Sequence, residues 1–370
     1  MALASPLAPP TAPVLAWKPD WPQAQRALSD WWEGRGLALH VTAPKDEPWE
    51  AIAPPPRACP YRQRLDAEWR LWSELHRMAR TFHGGVAFPQ FNTDVGGPGS
   101  LGLFLGAGAR IDDRTVWYDP CISDPDAHPP LRFDPANWWW RKHMEVIDRA
   151  LAAAGGRYLV GFPDLIENLD TLAQLRGSQE VLMDLLERPE WVRDRIRQIN
   201  QAWHHCFEAL WPLLGEPFGG NAFYAFRIWG PGRTAKLQCD FQCMISPAMF
   251  RRFVRPALEE QCGWLDFSLF HLDGTEALPH LEGLLEIETL KAIEWTPQAG
   301  RPGGGSSEWH ALYRRIRAAG KSVQAIEVRP EEVEPLIDAV GPDGLFIMTE
   351  AATEEEARSL LRRTGWPGEA

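Results

Sequence analysis

From about residue 81 onward the chain alternates short apolar runs with helical segments, and no other feature constrains its fold as much. The runs cover 86–91, 158–162, 223–228, 235–241, 267–272, 290–295, 323–328 and 345–348. Strands separated by helices pair in parallel, and about eight such units close a sheet on itself. The expected fold is therefore α/β, a single (β/α)8 barrel over residues 81–370. A helical extension over 21–80 is expected to pack on it, with amphipathic helices at 21–33 and 65–81, a possible strand at 37–41 and a Pro-rich loop at 53–60. Residues 1–20, rich in Ala and Pro, read as a mobile arm.

Helix starts within the barrel region are legible from their chemistry. Ser246 before Pro247 is an N-cap followed by proline in the first turn, and Thr353-Glu354-Glu355-Glu356 loads acid where the helix dipole favours it. Gly300-Arg301-Pro302-Gly303-Gly304-Gly305-Ser306 reads as a mobile loop at the face where parallel barrels keep their chemistry.

Two late runs end in groups of the same kind. His271 and Asp273 flank Leu272, and alternation along a strand aims both at one point. Glu350 lies just beyond the run 345–348. His271, Asp273 and Glu350 are the expected metal ligands, the alternatives being a hydrogen-bonded pair that closes a turn and, for Glu350, a helix cap. Asp94, Asp240 and Glu294, also at run ends, are candidates for orienting substrate or moving a proton. Tyr224, Trp229, Gln242, Trp295 and Gln324 would line the substrate site. So many carboxylates at one mouth would repel one another unless a divalent cation joined them.

Composition removes other classes. A formal charge of -12 argues against nucleic-acid and anionic-membrane partners, and no run of 18 apolar residues is long enough to cross a bilayer. Six cysteines without a tight pairing pattern, and no secretory signal, imply reduced thiols and a cytoplasmic location. Cys239 and Cys243 lack a second matched pair, so buried structural thiols are expected rather than a zinc knuckle. The 19 tryptophans imply buried aromatic stripes or a subunit interface, hence a homo-oligomer, a dimer being the simplest.

The stretch 240–297, with Ile245-Ser246-Pro247, Phe253-Val254, Pro256, His271-Leu272-Asp273-Gly274, Leu278-Pro279-His280-Leu281 and Ile293-Glu294-Trp295-Thr296-Pro297, resembles the uroporphyrinogen decarboxylase superfamily. That superfamily includes zinc-dependent cobamide:thiol methyltransferases and the trimethylamine corrinoid protein 2-like branch. Gly97-Pro98-Gly99, Asp170-Thr171-Leu172-Ala173, Leu175-Arg176-Gly177 and Glu354-Glu355-Glu356-Ala357 extend the likeness over roughly 80–365. The methyltransferases hold zinc through His-x-Cys and a later Cys; here those positions fall on His271, Asp273 and Glu350, so both thiolates have become carboxylates. Such a site suits Zn²⁺, Mn²⁺ or Fe²⁺ and an oxygen-bearing substrate. No Arg-Gln-Ala-Gly-Arg-like segment occurs in 20–60, which argues against uroporphyrinogen as substrate. The resemblance implies methyl transfer between a small substrate and a corrinoid carried by a partner protein, since the chain has no Asp-x-His-x-x-Gly motif of its own. Decarboxylation of a small acid, and a non-catalytic binding barrel, are the alternatives.

Overall fold

The computed structural model describes residues 15–112 and 115–367; residues 1–14 of the expected arm lie outside them. Within the arm, Leu15, Trp17 and Lys18 are buried, so residues 15–18 pack on the body of the fold and the mobile reading is corrected there. The strands are β1 (Leu37–Pro44), β2 (Thr81–Gly85), β3 (Gln90–Phe91), β4 (Gly108–Ile111), β5 (Val116–Asp119), β6 (Leu159–Val160), β7 (Asn221–Phe223), β8 (Ile228–Gly230), β9 (Thr234–Gln238), β10 (Phe267–Asp273), β11 (Ala292–Thr296), β12 (Ser322–Val328) and β13 (Leu345–Glu350).

Seven of them form one sheet in the order β2-β1-β13-β12-β11-β10-β9, parallel except between β1 and β2. Near-continuous apolar runs such as Leu345-Phe346-Ile347 suit strands covered on both faces. The boundary expected at residue 80 is corrected, because β1 sits inside this sheet between β2 and β13. Register places Gln238, His271, Glu294 and Gln324 side by side on four adjacent strands, forming one polar layer.

The ladder does not close among the described residues. Beyond β9, the Asn221 amide donates to the Thr234 carbonyl at 2.9 Å and accepts from its N–H at 2.8 Å. A single bridge, Phe162 to Phe223, leads on to β6, which pairs with β3. No pairing joins β3 to β2. The closed eight-stranded barrel is thus corrected to an α/β fold with a seven-stranded, mostly parallel sheet. Two of the expected runs explain the gap. Phe226 and Arg227 take left-handed φ values of 58° and 55° and break 223–228 into β7, a tight turn and β8. Pro89 removes a ladder donor from 86–91, leaving only Gln90–Phe91 paired.

Gly85 turns the chain out of β2 at φ +61°, where an added Cβ would stand 1.9 Å from the Leu39 carbonyl oxygen. Gly85→Ala is expected to destabilise the protein by more than about 1 kcal/mol. An unchanged urea midpoint would show that the turn is made differently.

Several tryptophans fill this chain's own core. The helix Trp21–Trp32 buries Trp21, Trp31 and Trp32; Trp32 donates to the Trp229 carbonyl at 2.8 Å and Trp31 to that of Val323 at 3.2 Å. The glycine-rich loop is held rather than mobile: Gly304 N–H donates to Ile326, and Gly303 lies so close to β12 that a Cβ would meet the Glu327 oxygen at 2.3 Å. No described helix is long and apolar enough to cross a membrane.

Candidate metal centre

Strand alternation sends Leu272 into the core and turns His271 and Asp273 to the opposite face of β10. The His271 Nδ1 atom lies 2.5 Å from Glu294 Oε2 on the neighbouring strand. Thr296 donates to the other Glu294 oxygen at 2.8 Å, so this fully buried carboxylate is used up in fixing the ring. An Nδ1 proton shared with Glu294 leaves the Nε2 lone pair free. Nε2 faces Asp240 Oδ1 and Asp273 Oδ2, each 3.9 Å away. Phe226 packs against the imidazole at 4.7 Å between ring centres.

Asp240 belongs to the turn that follows β9, and its position is built by a residue 70 places earlier. The Asp170 carboxylate accepts from the backbone N–H groups of Asp240 and Phe241, both at 2.8 Å. Gln238 Nε2 donates to Asp170 at 3.1 Å and to Asp240 Oδ2 at 2.8 Å, leaving Asp240 Oδ1 turned toward His271. Asp240, His271 and Asp273 thereby bring one ligand atom each within 4.8 Å of one another. Bonds of about 2.0–2.2 Å to one cation would put such atoms roughly 3–3.6 Å apart, so the two 3.9 Å distances to His271 need close by about 0.3–0.9 Å and the widest separation, up to 4.8 Å, by about 1.2 Å or more, a movement of side chains rather than of strands. The donor set and the oriented imidazole fit a divalent cation with open positions.

The electrostatics agree with that fit. Burial opposes a charged His271, but the Glu294 charge and hydrogen bond, with Asp240, outweigh it and raise the pKa. Burial, then the neighbouring Asp170 carboxylate, pushes Asp240 up to about 6. Farther along the strand ends, burial and Asp164 push Asp94 up to about 7. Asp94 Oδ1 accepts from the Asp164 N–H at 2.6 Å, and Lys236 pairs with Asp164 at 2.8 Å while also donating to Gln238. A continuous polar chain thus runs from Asp94 through Asp164, Lys236 and Gln238 to Asp240.

Glu167, also on this chain's flank, accepts the Gln238 backbone N–H at 2.7 Å, and burial pushes its pKa up to about 8. The folded protein therefore holds a proton that the unfolded chain releases near 4.5, and this group's contribution to stability falls as pH rises from about 4.5 to 8. Glu167→Gln keeps the acceptor and is expected to flatten that decline. Melting temperatures that fall in parallel for both proteins across this range would contradict it.

The structure redistributes the expected site residues. Asp240 joins the metal cluster, and Glu294 is a positioning residue with no free proton-transfer role. Glu350 is not brought to the cluster: β13 is three strands from β10, and Glu350 pairs in register with Thr42 and lines another cavity. Nor does it cap the following helix, where Thr353 accepts from Glu356. Trp229 and Trp295 are corrected to core residues; Trp229 meets Trp21 edge-on at 5.5 Å, and Trp295, alternating with Glu294, packs on Trp309 at 5.0 Å. Gln242 is fully buried in the turn after Asp240, away from solvent. Gln324 donates to the Phe226 carbonyl at 2.8 Å and so supports the ring that packs on His271. Tyr224 receives a 2.9 Å hydrogen bond from Arg227 and lies under its guanidinium. A cavity of about 510 Å³, lined by Cys243, Asp273, Glu276, Gln298, Arg301 and Glu327 among others, opens beside the cluster. All six cysteines are free, and no cysteine belongs to a metal cluster among the described residues.

Asp170, which enters the sequence pattern only through the resemblance, and Gln238 and Lys236 have no local signature of a site role, although a lysine inside the apolar run 235–241 is itself a signal, since a buried cation demands a partner. Compared with models of protein families and with curated proteins, the chain matches none.

Proposed function

We propose that this chain is an enzyme working with a divalent cation, Zn²⁺ or alternatively Mn²⁺ or Fe²⁺, held by Asp240, His271 and Asp273. The observation that carries this is the buried Glu294 on His271 Nδ1, which aims Nε2 at two carboxylates. Bound there, the cation would supply Lewis acidity at a heteroatom of a small substrate. Glu294 fixes the imidazole; Asp170 and Gln238 fix Asp240. Asp94, raised by burial and Asp164 to about 7, can both hold and release a proton near neutral pH and so serves a substrate atom at the strand ends. The resemblance to the uroporphyrinogen decarboxylase superfamily supports methyl transfer to or from a corrinoid on a partner protein.

Elemental analysis and cobalamin spectroscopy test the proposal. One equivalent of metal per chain is expected, together with metal-dependent interconversion of methylated and reduced cobalamin in the presence of a methyl donor or acceptor. Protein that takes up no metal under replete conditions would overturn it. Decarboxylation of a small acid at the same centre, which the Arg301 guanidinium lining the cavity beside Asp273 favours, would instead appear as carbon dioxide release without cobalamin change.

A further inference from the structure

A second cavity, of about 680 Å³, opens where β1, β2, β3 and β13 meet the helix Ala67–Ala79. Its wall contains polar side chains that are more than nine-tenths buried and have no partner. Both ring nitrogens of His83, Nδ1 of His40, and both amide atoms of Gln90 are unsatisfied. A buried polar atom left so forfeits the hydrogen bonds it had in water. Gathered round one space, they call for a polar occupant.

The charges say which kind. Arg77, Arg80 and Arg227 line the cavity against a single carboxylate, Glu350. Among the described residues Arg77 is balanced by Glu74, but Arg227 has no ion pair and donates to Tyr224, and Arg80 makes no side-chain hydrogen bond or ion pair. In a chain of net charge -12, two uncompensated guanidiniums beside buried imidazoles are an anion site, because forked N–H donors match carboxylate and phosphate oxygens. The volume exceeds what a bare ion needs and suits a small organic molecule.

The two halves of the mouth share one turn. Phe226 packs on His271, while the next residue, Arg227, lines the basic cavity. We propose that this cavity binds the carboxylate or phosphate group of a small anionic substrate, whose other end reaches the Asp240–His271–Asp273 cluster past the Phe226–Arg227 turn. The anion site stands on its own observations; only the direction of the reacting end rests on the metal-enzyme reading. The His40 and His83 imidazoles, kept neutral by burial and then by Arg227 and Arg77 respectively, are each left with one N–H to donate.

Calorimetric titration of the metal-free full-length chain with inorganic phosphate, and separately with succinate, tests the proposal. Saturable one-to-one binding of at least one probe is expected, and the tighter of the two names the headgroup. Arg227→Gln and the exposed Arg80→Gln should each weaken it about tenfold or more, whereas His271→Ala should leave it intact. No saturation by either probe at millimolar concentration would overturn the proposal. So would binding that both arginine variants leave unchanged. If the anion binds as expected but no metal does, the cavity stands and the metal-enzyme reading falls.

Discussion

Replacing His271 by Ala is expected to abolish binding of the proposed cation while the fold survives. The imidazole is the only nitrogen among the three ligands, and the remaining carboxylates of Asp240 and Asp273 lie on different elements with nothing between them to balance their repulsion. Glu294→Gln tests the same centre more gently. The amide keeps the shape but no longer holds the Nδ1 proton with a charge, and a loss of roughly 10- to 100-fold in metal affinity should follow. Competition with a chromogenic chelator measures both. Equal affinity in Glu294→Gln and wild type would show that the 2.5 Å contact to His271 does not govern the ring.

Lys236→Met should produce the largest loss of stability of any single change along the polar chain. The ammonium is almost wholly buried, and its removal would strip Asp164 of its ion pair and leave Arg70 to offset the Asp94 charge beside it. Deleting one partner of a buried pair costs about 3–5 kcal/mol. Chemical denaturation of Lys236→Met alone and of the double variant Lys236→Met with Asp164→Asn checks the cause. The second substitution should recover much of the loss. No recovery would mean that Lys236 acts through its contact with Gln238 instead.

The elements that sequence made legible are those whose signal is local. β10 to β13 follow from apolar runs of ordinary strand length, and the caps at Ser246 and Thr353 from side chains that reach their own helix. His271 and Asp273 were paired correctly because i and i+2 on a strand share a face. Glu350 stands three strands from β10, a separation that no strand end reveals in sequence. Asp240 was placed at the mouth but not in the cluster, since its orientation depends on Asp170, and no local pattern encodes a contact spanning 70 residues. The broken run at 223–228 failed for another reason: its apolar composition gives no hint of left-handed backbone at Phe226 and Arg227, which only tertiary contacts such as Gln324 to the Phe226 carbonyl sustain.

The unpaired seam between β2 and β3 distributes mechanical compliance unevenly round the sheet. The candidate metal cluster takes His271 and Asp273 from β10 and Asp240 from the turn after β9, and the contiguous parallel ladders that join β9, β10 and β11 must lose hydrogen bonds before their spacing can change. The basic cavity instead straddles the seam, with His83 on one side and Gln90 on the other, and no ladder bond resists a change in its width. Amide protons of Gln90 and its neighbours should accordingly exchange with solvent faster than those of Leu269 to His271. One side of the mouth is held by continuous ladders, as the proposed metal centre would require; the other is free to adjust its breadth to the proposed anion.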